Sequence, residues 1–216
     1  MINASFNSEG EVMRKFLVLP YVLLIVLVLS ACSGGGFKAD YKLDVEPFAF
    51  TNQHNKEVAL DDLKGEVWLA QFVFSNCTSV CGPMMHNMAE LQDELIKENV
   101  EDYKIVSFTV DPKVDSPEVL QTYLDQYAPS DESKWEMLTG YKQEEISEIA
   151  KKSFATMVIP AVGSSDQVTH GVNFALVNQE GVVVKLYDGV GTAENPFKDY
   201  MSDIAKDMKA LIKAGA

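Results

Sequence analysis

The feature that most constrains the fold is a nearly unbroken apolar run at residues 67–74. A run of this length without polar alternation is typical of a central strand buried on both faces of a sheet. From residue 83 to about residue 99 the apolar positions recur at helical spacing, and the proline that opens this segment suits a first helical turn. The sequence therefore predicts a buried strand, a short loop and a helix, and the loop carries Cys77 and Cys81.

The flanking segments predict a mixed α/β order. Ahead of the run, apolar and polar residues alternate over 47–60 around a polar turn, which predicts a β-hairpin. The segments that follow the first helix are predicted as a strand at 105–110, a helix at 116–127 capped by Ser116, a helix at 143–154, a polar loop that reaches His170, hairpin strands at 172–177 and 182–187, and a closing helix from 195 to about 214. Strands joined by crossover helices predict a mixed sheet with helices on both faces.

The N-terminal segment is predicted to target the chain and not to belong to the fold. A basic pair at 14–15 precedes an apolar run at 16–29, about the length of a signal-peptide core and too short to span a bilayer comfortably. Met13 would make a normal signal start, so Met1 and Met13 are both candidates for the true initiator. We expect residues 1–31 to be a signal peptide.

The apolar run ends in Leu29-Ser30-Ala31-Cys32, which resembles the bacterial lipobox. The resemblance implies that Cys32 becomes the acylated first residue, with a flexible tether over 32–40; the alternative is an ordinary signal peptide with a stray cysteine nearby. On the first interpretation the domain at 41–216 lies outside the cytoplasm, anchored to the bacterial cell membrane by its acyl chains. Disulfides can persist in that compartment.

Composition limits the partners of this domain. With 216 residues and 47% hydrophobic content, one compact domain is expected. A formal net charge of −14 argues against binding to nucleic acid phosphates or to anionic lipid, because both need a basic face. Any protein partner should be cationic, neutral or locally basic.

The pair Cys77 and Cys81 is the strongest chemical signal in the chain. Both lie between a buried strand and a helix, where oriented N–H groups favour an anion, so we expect both sulfurs to ionise readily. Their spacing of nearly one helical turn puts the Cα atoms about 6 Å apart, within the range of a disulfide. Two thiolates also suit copper(I), and one imidazole would complete a three-coordinate site. The alternative is a pair of buried structural cysteines.

The chain has three histidines that could supply this imidazole. His54 falls in a predicted hairpin turn and is expected to be solvated. His86 lies on the helix after the cysteines but is turned away from Cys81, which favours a surface or partner-facing role. His170 precedes a strand that, in thioredoxin topology, neighbours the one ending at the cysteines; from the residues alone, an exposed or hydrogen-bonded histidine is an open alternative.

Two other groups near the cysteines are ambiguous. Met84, Met85 and Met88 are soft side chains that could be extra ligands, but the spacing of Met85 and Met88 with Leu91 is that of a stripe that packs into a core. Asp111, followed by Pro112, ends a predicted strand and Asp115 comes shortly after, at the sheet edge where sites gather in open α/β folds. A simple strand-terminating turn explains these carboxylates equally well.

Taken together, these segments resemble the Sco/SenC family of copper-binding, thioredoxin-like proteins that help to assemble the dinuclear copper centre of cytochrome c oxidase, in particular its lipid-anchored Gram-positive members. The resemblance spans nearly all of the mature chain. It is carried by Val45-Glu46-Pro47-Phe48, Gly65-Glu66-Val67-Trp68-Leu69-Ala70, Phe72-Val73-Phe74-Ser75-Asn76-Cys77, Cys81-Gly82-Pro83-Met84, Ser107-Phe108-Thr109-Val110-Asp111-Pro112, Leu138-Thr139-Gly140-Tyr141 and His170.

The resemblance implies that Cys77, Cys81 and His170 bind copper, as Cu(I) or Cu(II), in a monomeric metallochaperone whose partners are cytochrome c oxidase subunit II and a thiol-disulfide reductant. Thr78 stands where many members have proline, and Gly171 also departs from the usual surroundings of the histidine. The alternative function is a thiol-disulfide oxidoreductase that reduces the cysteines of the oxidase copper site with the same cysteine pair.

Two further classes are disfavoured. A peroxidase of the peroxiredoxin type needs a threonine shortly before its cysteine and an activating arginine, but residues 74–76 are Phe, Ser and Asn and no arginine follows Arg14. A simple electron-transfer copper site typically combines two histidines with one cysteine, which is not the set expected here.

Overall fold

The computed structural model describes residues 37–215. Its strands are β1 (Leu43–Asp44), β2 (Ala49–Thr51), β3 (Glu57–Ala59), β4 (Val67–Val73), β5 (Tyr103–Thr109), β6 (Trp135–Leu138), β7 (Val158–Ile159), β8 (Thr169–His170), β9 (Asn173–Val177) and β10 (Val182–Asp188). Its helices are α1 (Cys81–Lys97), α2 (Pro117–Asp125), α3 (Gln143–Ser153) and α4 (Met201–Gly215).

A mixed sheet of six strands forms the centre of the fold, in the order β1-β10-β9-β4-β5-β6. Strands β4, β5 and β6 are parallel to one another, whereas β9 is antiparallel to both β4 and β10. All seven residues of β4 are buried, as the apolar run predicts for a central strand. The predicted strand, loop and helix and the mixed sheet are thus confirmed.

Contacts of β4 show that helices cover both faces of the sheet. On one face, the Gln71 amide lies 3.3 Å from the sulfur of Met85 in α1. On the other face, the rings of Trp68 and Phe72 pack edge-on against Phe154, which directly follows α3. The prediction of helices on both faces is therefore confirmed.

The predicted N-terminal hairpin is formed by β2 and β3 as a separate two-stranded sheet. Its turn includes Asn55 with a positive φ of 57°, a conformation that asparagine tolerates better than most residues. Thr51 of β2 forms a bridge with Thr139, directly after β6, so the hairpin is hydrogen-bonded to the main fold.

Several boundaries differ from the prediction. Helix α1 begins at Cys81, two residues before its predicted start. Helix α4 begins at Met201 and not at the predicted residue 195, because the preceding Phe197–Asp199 segment forms a 3-10 turn. Strand β6 at the sheet edge and the two-residue strands β7 and β8 were not predicted, and His170 lies in β8 where a loop was expected. The Ser116 cap of α2 is confirmed, since its side chain accepts the N–H of Val119.

The predicted signal peptide at 1–31, the acylation of Cys32 and most of the tether at 32–40 fall outside the described residues. Within residues 37–215, none of the helices has both the length and the apolar character needed to cross a bilayer.

Candidate metal centre

The loop between β4 and α1 carries both sulfurs. Because β4 ends at Val73 and α1 begins at Cys81, the two cysteines flank a turn at the carboxyl end of a central strand. The backbone N–H of Cys81 donates to the Cys77 sulfur over 3.4 Å, so this sulfur accepts a hydrogen bond from the first residue of the helix. Cys81 is fully buried, whereas Cys77 is partly exposed, and both are free thiols.

A buried carboxylate holds the start of this loop. Asp115 is fully buried and accepts hydrogen bonds from the backbone N–H and the hydroxyl of Ser75, near the start of the cysteine loop. It also accepts the hydroxyl of Thr109 at the end of β5. Of the two carboxylates that the sequence left ambiguous, Asp115 thus has a structural contact with the loop, whereas Asp111 is half-buried at the strand end.

The third candidate ligand arrives on a small hairpin. His170 pairs with Val158 across β7 and β8. Three residues later, at Asn173, β9 begins beside β4 in the antiparallel sense, so its start lies at the end of the sheet where β4 stops. Topology therefore brings a histidine that is 89 residues from Cys81 to the cysteine loop.

The structure brings the three side chains together. One ligand atom from each of Cys77, Cys81 and His170 lies within 4.8 Å of the others, and the Cys81 sulfur is 3.1 Å from His170 Nε2. The imidazole also packs edge-on against the ring of Phe74, with centroids 5.8 Å apart. Phe74 is almost completely buried, so one wall of the site is the protein core.

A backbone carbonyl sets the orientation of the imidazole. His170 Nδ1 lies 2.8 Å from the carbonyl oxygen of Gly171, which can only accept a hydrogen bond. The proton of the neutral ring must therefore be on Nδ1, which leaves the Nε2 lone pair directed towards the sulfurs. Metal-binding histidines commonly have this arrangement.

The two sulfurs differ in acidity, contrary to the expectation that both ionise readily. Burial opposes ionisation of Cys77, but hydrogen bonds from the Cys81 thiol and from the Ser79 and Cys81 backbone outweigh it and lower the pKa. Burial, together with the hydrogen bond to Cys77 and the charge of Asp115, raises the pKa of Cys81 well above its ordinary value. The position at the start of a helix does not compensate for complete burial.

The imidazole of His170 is electrically neutral near pH 7. Burial lowers its pKa from the ordinary value, and the hydrogen bond with the Gly171 carbonyl only partly opposes this effect. A neutral imidazole has the lone pair that a metal ion needs.

The other side chains that the sequence singled out lie apart from this cluster. His54 is exposed in the hairpin turn, 3.9 Å from Glu132, and His86 is exposed on α1, 3.3 Å from Glu90. The methionine stripe of α1 packs into the core, since all three side chains, Met84, Met85 and Met88, are fully buried. The prediction that they pack is confirmed.

Gly171 has a packing role that sequence reasoning missed. A β-carbon at this position would overlap the Thr156 side chain, so only glycine allows the chain after His170 to pass this close. The sequence signal was the unusual glycine beside the histidine, but Thr156 comes close to it only through the fold.

The chain is similar in sequence to known proteins. A family model described as SCO1/SenC matches residues 38–206. The SCO1 protein homolog of Bacillus subtilis (strain 168) is 46% identical over 181 residues, covering 84% of this chain and 91% of that protein.

Solved structures of similar proteins share the fold. A SCO1/SenC family lipoprotein from Bacillus anthracis str. Ames superposes with a TM-score of 0.71 at 40% identity, covering 80% of this chain and 98% of that one. A second structure is that of BsSco, described as having a disulfide switch and as a member of the Sco family of cytochrome c oxidase assembly proteins. It superposes with a TM-score of 0.65 at 43% identity, covering 80% of this chain and 97% of that one. Yeast Sco1 with copper bound superposes with a TM-score of 0.64 at 24% identity, covering 77% of this chain and 89% of that one, which shows a common fold. The chain belongs to the SCO1/SenC family.

Proposed function

We propose that this protein binds one copper ion through Cys77, Cys81 and His170. The observation that carries the proposal is the convergence of three donor atoms within 4.8 Å at the end of the central strand. Two sulfurs and an imidazole are soft or borderline donors that suit copper(I), and the Nε2 lone pair already points into the cluster.

We further propose that the copper is cargo, delivered to the dinuclear copper centre in subunit II of cytochrome c oxidase. A relative of 43% identity is described as an oxidase assembly protein, which supports this role. Cys77 is partly exposed, so a partner's ligands have access to one side of the bound ion. The net charge of −14 suits a docking face on the oxidase that is neutral or locally basic.

The proposed setting is the outer face of the bacterial cell membrane. Cleavage after residue 31 and acylation of Cys32 would anchor a monomeric domain there, and a relative of 40% identity is described as a lipoprotein. In this compartment a thiol-disulfide reductant would be needed to keep the cysteine pair reduced for copper.

A second candidate function, thiol-disulfide exchange, is favoured by the asymmetry of the sulfurs. Cys77 is accessible and has a lowered pKa, as an attacking thiol needs, whereas Cys81 is buried beside it. The Cys77 thiolate would attack a partner disulfide, forming a mixed disulfide and releasing one partner thiol. Cys81 would then lose its proton and attack Cys77, so that two electrons pass to the partner, which leaves with both thiols reduced.

Copper titration of the reduced full-length protein in detergent separates the two functions. We expect one copper per chain, with thiolate-to-copper charge-transfer absorption and a copper(II) paramagnetic resonance signal in the parent. His170→Ala should lose both signals and lower copper affinity at least about 100-fold. His86→Ala, which removes an exposed histidine outside the cluster, is the matched control and should bind copper as the parent does.

Oxidase maturation in cells then distinguishes delivery from reduction. His170→Ala should abolish maturation while it leaves disulfide exchange by Cys77 intact. Normal maturation with this variant would overturn the copper-delivery role and favour the oxidoreductase.

A further inference from the structure

The side-chain amide of Gln167 pairs with the backbone on both sides of Cys77. Its Oε1 accepts the N–H of Thr78 over 3.2 Å, and its Nε2 donates to the carbonyl of Asn76 over 3.0 Å. The Thr78 hydroxyl donates to the same Oε1, also over 3.2 Å. One partly buried side chain thus holds the two peptide groups that flank a proposed copper ligand.

The neighbour of Gln167 adds a second connection. The Asp166 carboxylate accepts the Asn76 side-chain amide over 2.7 Å and the Gln167 amide over 2.9 Å. Together, Asp166 and Gln167 connect the segment before β8 to the loop after β4, and the same segment continues to His170 only three residues after Gln167.

These contacts join the two halves of the proposed copper site. Cys81 is held by the core and by its place at the start of α1, whereas Cys77 lies in the partly exposed turn before the helix. In the described residues, the Gln167 amide is the side-chain group that bonds to the backbone on both sides of Cys77.

We infer that Gln167 is a positioning residue for copper: it sets the place of the Cys77 sulfur relative to the His170 imidazole by linking their two segments. This inference rests on the proposed function, because it concerns the affinity of that site for copper. Gln167 itself does not touch the cluster of donor atoms. Its contribution is to reduce the freedom that Cys77 would otherwise lose when it binds the ion.

The test compares Gln167→Met with the parent, since methionine keeps the length of the side chain but lacks both the donor and the acceptor. Outer-shell partners of metal ligands typically contribute 10–100-fold in affinity, and contacts this exposed should lie at the lower end. We expect Gln167→Met to lower copper(I) affinity about tenfold in a chelator competition with the full-length protein. Disulfide formation between Cys77 and Cys81 should change less than about twofold, because both cysteines lie on the same side of the link.

A metal-free measurement accompanies the titration. In the copper-free, reduced parent, the Thr78 amide should exchange its hydrogen slowly, and Gln167→Met should remove that protection. A double variant, Asp166→Asn with Gln167→Glu, keeps the acceptor for the Thr78 N–H without changing the net charge. Compared with Gln167→Met, it should retain more of the copper affinity and more of the Thr78 protection. Gln121→Met is the matched control, because Gln121 is also partly buried and hydrogen-bonded but lies on α2.

The outcomes are distinct. Unchanged copper affinity in Gln167→Met, or a Thr78 amide that exchanges at the same rate in variant and parent, overturns the inference. An equal loss of affinity in Gln121→Met also overturns it, since the effect would then not be specific to the link. If the parent binds no copper, the proposed function is wrong. The hydrogen-exchange rate of the Thr78 amide in parent and variant then still decides whether Gln167 holds the loop.

Discussion

The two halves of the candidate metal centre are built differently. The cysteine loop extends from a fully buried strand, starts at a Ser75 held by the buried Asp115, and ends at the buried Cys81. The histidine hairpin consists of two-residue strands; Val158 and Val168 are buried, but Ile159 and Val162 are exposed, at 47% and 77%. The core therefore determines the position of the Cys81 sulfur, whereas the imidazole depends on a short hairpin and on its contacts with Phe74 and the Gly171 carbonyl. We expect substitutions in the cysteine loop to lower mainly the free energy of unfolding, and substitutions in the histidine hairpin to lower mainly the affinity for copper.

The largest effect is expected for Asp115→Ala. It leaves the Ser75 backbone N–H and the Ser75 and Thr109 hydroxyls without their buried acceptor, at about 1–3 kcal/mol for each unsatisfied group. We expect the free energy of unfolding to fall by about 3 kcal/mol or more, measured by urea denaturation. Asp111→Ala, at a half-buried position nearby, should cost less than about 1 kcal/mol. Equal losses for both variants would show that the core does not hold the loop through Asp115.

The next effect concerns the difference between the two sulfurs. Since the pKa of Cys77 is lowered, its thiolate population rises at lower pH than that of an ordinary cysteine, whereas the raised pKa of Cys81 keeps it protonated to high pH. At pH 8 we expect iodoacetamide to modify Cys77 at least about tenfold faster than Cys81 in the reduced, metal-free protein. Peptide mass spectrometry measures both rates, with the urea-unfolded chain as the control. Similar rates in the folded protein would contradict the assigned asymmetry.

A smaller effect, limited to copper, is expected in the histidine half. Gly171→Ala places a methyl group against the Thr156 side chain and should displace His170 from the sulfurs. We expect copper affinity to fall about tenfold, while the free energy of unfolding changes by about 1 kcal/mol.

Adding Thr156→Ala to Gly171→Ala should restore part of the copper affinity, because it removes the Thr156 hydroxyl, the atom that the new methyl group meets most closely. No recovery in the double variant would show that the glycine serves something other than this close approach.

Sequence patterns predicted the parts of the fold that have a strong periodic signal. The apolar run of β4, the helical spacing of α1 and the Ser116 cap all appear in the structure. Strands β7 and β8 were missed because two residues are too few to show a period, and β6 because its Trp135–Leu138 run is short and is paired on one side only, at the sheet edge.

For the candidate site, the residue types were visible in the sequence but their surroundings were not. The spacing of Cys77 and Cys81 between strand and helix indicated a reactive pair. The raised pKa of Cys81 depends on burial by distant segments, and the role of Asp115 depends on a contact with Ser75 across 40 positions. Neither contact leaves a local pattern, so neither could be read from the residues alone.

The antiparallel placement of β9 has a consequence for which changes in chain length this protein can tolerate. Only Gly171 and Val172 separate His170 from β9, so one inserted residue there would shift the imidazole by about 3.3 Å and turn the side chain to the opposite face. The connection between β7 and β8 is exposed over residues 160–165, where the entropy of closing a longer loop rises only slowly with length. Natural or engineered length variation should therefore accumulate before the histidine and be absent after it.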